Sequence, residues 1–70
     1  MAQQGQGQYP VDNNTYNLMQ MTVSKLESIE AYQKYLKDAD DQTRGVIEEL
    51  MQQDRQAVNR LMDVLKRSIK

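Results

Sequence analysis

The chain lacks cysteine and histidine altogether among its 70 residues. No disulfide can form, and the thiolate and imidazole ligands of an ordinary zinc site are missing. Without His or Cys, the helical serines Ser24, Ser28 and Ser68 have no plausible base beside them, so no nucleophile-and-base arrangement can be assembled. Glycine is scarce, and Gly5 and Gly7 lie in a polar stretch rather than between a strand and a helix, which excludes a phosphate loop. No apolar run approaches the ~20 residues that span a bilayer. The start of the chain has neither the basic opening nor the apolar core of a signal peptide. A cytoplasmic protein with no membrane role is therefore expected. Charge of one sign is also missing: Lys plus Arg number 9 and Asp plus Glu 10, a net charge of -1. That balance gives no electrostatic case for nucleic acid. Lys66, Arg67 and Lys70 fit a helix C-terminus, where cations suit the macrodipole.

What remains is mostly helix-forming. Residues 1–11 stand apart, with Gln and Gly alternating through Gln8. This composition predicts a flexible tail. Tyr9-Pro10-Val11 reads as a short extended lead-in, since Pro disfavours helix in its neighbour. The sharper alternative is a Gln-rich tail that docks a protein partner.

Residues 12–70 predict one helical hairpin. Asp12, Asn13, Asn14 and Thr15 are consecutive N-cap candidates, and helix 1 should run from about 13 to 38 without Gly or Pro. Asp38, Asp40 and Asp41 mark a break, because Asp favours caps over helix interiors. Asp40 or Asp41 should cap helix 2, which runs from about 41 to 69. The apolar phase continues through the break, so one long helix paired with a second copy fits the same pattern.

Two charges interrupt the apolar stripes. Helix 1 carries Leu18, Leu26, Ile29, Tyr32 and Leu36 on one face, with Lys25 among them. Helix 2 carries Ile47, Leu50, Met51, Val58, Leu61, Leu65 and Ile69, with Asp54 near the middle. In a hairpin the two charges reach about the same height. A buried charge is costly unless paired, so a Lys25–Asp54 structural ion pair is expected; the competing picture has Lys25 snorkelling to the rim and Asp54 in water. Further apolar residues flank both stripes, such as Met19, Met21, Val46 and Met62. Stripes this broad fit helices that touch two neighbours, and two hairpins would supply a four-helix bundle. A chain this small needs some staple, so a homodimer is expected.

The run from Tyr32 to Ala39 is similar to the end of the first helix of a rubrerythrin-type, ferritin-like hairpin. The run from Glu49 to Ala57 resembles that family's second helix, and Pro10 to Leu18 looks like the lead-in of small bacterial proteins of this type. In such proteins two hairpins enclose two metal ions, held by a Glu on each first helix and a Glu-x-x-His on each second. Mapped residue by residue, the second-helix Glu falls at Asp54, the His at Ala57 and the first-helix Glu at Lys25. Lys25 and Ala57 cannot ligate a metal. The resemblance thus implies a ferritin-like four-helix bundle that needs no cofactor, in which the Lys25 ammonium takes the place of the metal charge. A non-enzymatic structural or interaction module follows. The alternative is a metal-binding oxidoreductase or storage protein whose ligands are Asp54 and Glu30. Glu27, Glu48 and Glu49 point mainly outward, and solvated ion pairing explains them more simply. Tyr32 and the methionines read as packing rather than redox or copper chemistry.

Overall fold

A computed structural model describes residues 11–69. Among these residues the chain is helical with no strand, and its two long helices pack side by side as a hairpin. Helix α1 spans Asn13–Tyr35, a 3-10 turn continues it over Leu36–Asp38, and helix α2 spans Asp41–Ser68. The expected tail at residues 1–11 lies outside the described residues except for Val11.

Both helices start on an aspartate. The Thr15 backbone N–H donates to Asp12 Oδ1 at 2.9 Å, and the Thr43 N–H donates to Asp40 Oδ1 at 2.8 Å. Each carboxylate thereby satisfies a donor that the first helical turn leaves free. Of the candidates in each Asp/Asn cluster, the first in extended backbone takes the cap: Asp12 has φ -77 and ψ 173, Asp40 φ -78 and ψ 179. Ala39 is extended too, at φ -82 and ψ 140. Two consecutive extended residues turn the chain back, so the single long helix does not form. The Arg44 guanidinium then reaches across the turn and donates to the Leu36 carbonyl at 3.3 Å.

These caps make an acid prediction. The hydrogen bonds from Thr15 and Thr43 hold the Asp12 and Asp40 carboxyls below their ordinary value of 3.8. A depressed folded-state pKa gives stability that is present above the unfolded value and lost as pH falls through the folded one. The thermal midpoint should therefore hold down to about pH 4 and fall below it. Asn is an equally good cap, so Asp40→Asn should keep the helix and flatten part of that acid slope. Circular dichroism melts between pH 5 and 2 would show a steep slope unchanged in the variant if the cap were irrelevant.

The core is a narrow seam. Its buried residues are Thr15, Leu18 and Thr22 on α1 and Ile47, Met51 and Asp54 on α2. Continued through half-buried neighbours, the seam follows Thr15, Leu18, Thr22, Lys25, Ile29, Tyr32 and Leu36 on α1. On α2 it follows Ile47, Met51, Asp54, Val58, Leu61 and Leu65. Both series alternate steps of three and four, the period of helices that pack along their length. Leu26, Leu50 and Ile69, which the sequence places in the stripes, are instead exposed, at 50%, 36% and 51%. Leu26 and Leu50 sit one residue off the seam, beside Lys25 and Met51, and Ile69 follows the last turn of α2.

Candidate functional site

The position that departs most from an apolar seam is the Lys25–Asp54 level, near the middle of both helices. Lys25 Nζ donates to Asp54 Oδ1 at 3.1 Å. The two partners differ in environment: the Lys25 side chain is 45% exposed and that of Asp54 12%. Lys25 thus keeps nearly half of its side chain in water while its ammonium reaches Asp54. Asp54 stays inside. Elements of both sequence-level pictures coexist, with a snorkelling lysine that nonetheless reaches a buried acid.

The neighbouring seam explains how a carboxylate is tolerated there. Thr22 lies one turn before Lys25 and is buried, but its hydroxyl donates to the Leu18 carbonyl of its own helix at 2.8 Å. A threonine satisfied in this way needs no acceptor from α2. Asp54 takes its hydrogen bond and its counter-charge from Lys25.

The remaining candidate ligands are scattered. Glu30, Glu27, Glu48 and Glu49 are all exposed. Ala57 is half-buried and lines a groove with Arg60, Leu61 and Val64. Among the described residues no three acidic side chains come close enough to hold an ion together. Met51 packs in the seam, whereas Met21 and Met62 are exposed. The rings of Tyr32 and Tyr35 meet edge to face, with centroids 6.3 Å apart and planes at 64°, a packing contact near the turn. The arrangement can hold two helices in one register.

A second feature is apolar exposure. Met21, Val23, Leu26, Tyr35, Val46 and Leu50 all leave more than a third of their surface open. Where such residues group on one face they mark interaction surfaces, whereas scattered ones are ordinary. Among the described residues no helix is long and apolar enough to cross a membrane. Compared with protein-family models, curated proteins and solved structures, the chain matches none.

Proposed function

We propose that this protein is a non-enzymatic structural or interaction module that works as a homodimer in the cytoplasm, a metal-free relative of ferritin-like four-helix bundles. The observation that carries this reading is the 3.1 Å contact between Lys25 and Asp54. The acid that would anchor a metal in the ferritin-like mapping is already engaged by an ammonium, and a cation beside Lys25 would be repelled. Glu30, the other ligand of the metal-binding alternative, is exposed. A divalent ion in a bundle core needs several carboxylates and usually His, with outer partners to orient them. The exposed apolar residues support association, because a hairpin with one narrow seam buries little by itself.

Metal content tests the choice between module and oxidoreductase. Protein produced in iron- and manganese-rich medium and purified without chelators should contain well under one equivalent of transition metal by elemental analysis. Stoichiometric metal that is lost in Asp54→Ala would overturn the module reading.

A further inference from the structure

We infer that a second copy of this chain docks on one flank of the hairpin, turned end for end so that the two interhelical turns lie at opposite ends of the dimer. This deepens the proposed function and rests on its dimer.

The flank follows from the seam. On α1, the residues just before Thr22, Ile29 and Leu36 are Met21, Ser28 and Tyr35; on α2, those just before Met51, Val58 and Leu65 are Leu50, Ala57 and Val64. Each set repeats every seven residues, so it keeps to one side of its helix. The opposite side is identified by a groove in which Leu26 and Gln33, from α1, meet Arg55 and Asn59, from α2. Met21 and Leu50 therefore share the other flank. No charged residue stands at any of its six positions. Met21 is 48% exposed, Tyr35 58%, Leu50 36% and Val64 40%. Large apolar groups lie towards the ends, and the small Ser28 and Ala57 flank the Lys25–Asp54 level. The opposite side carries Glu48 and Arg55, charges that a buried dimer core disfavours, whereas on the chosen flank Arg60 borders a second groove beside Ala57 and Val64 without occupying one of the six positions. The hairpin measures 49 × 23 × 14 Å, so a broad face offers a footprint of ~1,100 Å², against the roughly 800 Å² per partner of a standard interface.

The orientation follows from charge. Residues 26–53, the half with the turn, hold seven carboxylates against three cations (Lys34, Lys37 and Arg44), a net charge of -4. The rest of the described chain, residues 11–25 and 54–69, holds five cations against three carboxylates (Asp12, Asp54 and Asp63), a net charge of +2. The antiparallel helix dipoles largely cancel at each end, leaving these side chains to set the field. Two-fold packing of one face allows two dimers. With the turns together, -4 meets -4; with the turns apart, each acidic half meets a basic half. Complementarity of this kind selects register and orientation.

The chain has no cysteine, so a single spin label at Gln42→Cys reads the geometry in the full-length protein. Gln42 lies about 18 Å along α2 from Asp54 at 1.5 Å per residue. Pulsed EPR should give a label separation of ~35–40 Å for turns apart. A separation under ~25 Å, as neighbouring helix ends give, would overturn the orientation but leave the dimer intact. No dipolar coupling together with a monomer mass would sink the dimer itself. Val64→Glu and Met62→Glu test the flank, because these residues are similarly exposed, at 40% and 38%, on different sides. Val64→Glu should weaken the dimer at least tenfold, and Met62→Glu less than threefold, with equal helical content in both. The reverse order would place the interface on the groove side.

Discussion

Ile47→Ala should leave the protein largely unfolded at physiological temperature. Ile47 is 7% exposed and sits in the seam with Met51, itself 5% exposed. Truncating such a side chain removes its transfer free energy and leaves a cavity, together about 2–4 kcal/mol. A domain of this size loses roughly 4–8 °C of thermal midpoint per kcal/mol, and small domains have only a few kcal/mol in hand. Leu26→Ala is the matched control. Leu26 is 50% exposed, and surface substitutions usually change stability by about 0.5 kcal/mol or less. Paired circular dichroism melts check the contrast. Equal midpoints for the two variants would show that the core is not the narrow seam described here.

The second large effect is asymmetric. Lys25→Met should cost about 1–3 kcal/mol, because it leaves Asp54 inside without its charged donor. That is below the ~3–5 kcal/mol of a fully buried pair, since the Lys25 side chain is 45% exposed and solvent screens the contact. Asp54→Leu should be near neutral or stabilising. Lys25 then finishes its reach into water, and a leucine fills the seam. The double variant should match Asp54→Leu, so that a double-mutant cycle gives a coupling equal to the Lys25→Met cost, about 1–3 kcal/mol. Additive effects would mean that the two charges do not stabilise each other. The pair also bears on specificity: one charged level in a seam that otherwise holds no charge can fix how two helices align. The double variant should therefore show broader amide NMR signals near the turn, where a slipped register would displace Arg44 from the Leu36 carbonyl.

Much of this arrangement was legible in the sequence, for identifiable reasons. Asp clusters announce helix starts because their carboxylates compete for free N–H groups, and Asp12 and Asp40 both lie in such clusters. Lys25 and Asp54 stood out because each breaks an apolar period. Thr15, read only as a cap candidate, and Thr22 did not stand out as buried, because a hydroxyl reads as exposed until its partner is seen; Thr22 bonds the preceding turn. The alternation of three and four through Thr15, Leu18, Thr22, Lys25 and Ile29 was the available signal. It also distinguishes Lys25 from Leu26: a period of 3.5 residues puts the lysine in the seam and the leucine beside it, whereas an ideal 3.6-residue helix blurs the two. Hydrophobicity alone favours Leu26, and there the seam geometry overrides it. In the proposed dimer, Met21, Tyr35, Leu50 and Val64 would form a second contact surface rather than a broader first one.

Association is the point on which the functional reading turns. Sedimentation equilibrium of the full chain at low micromolar concentration should give twice the chain mass, with no drift towards the single-chain value across a tenfold dilution. A well-folded species of single-chain mass, with undiminished helical signal, would contradict the account.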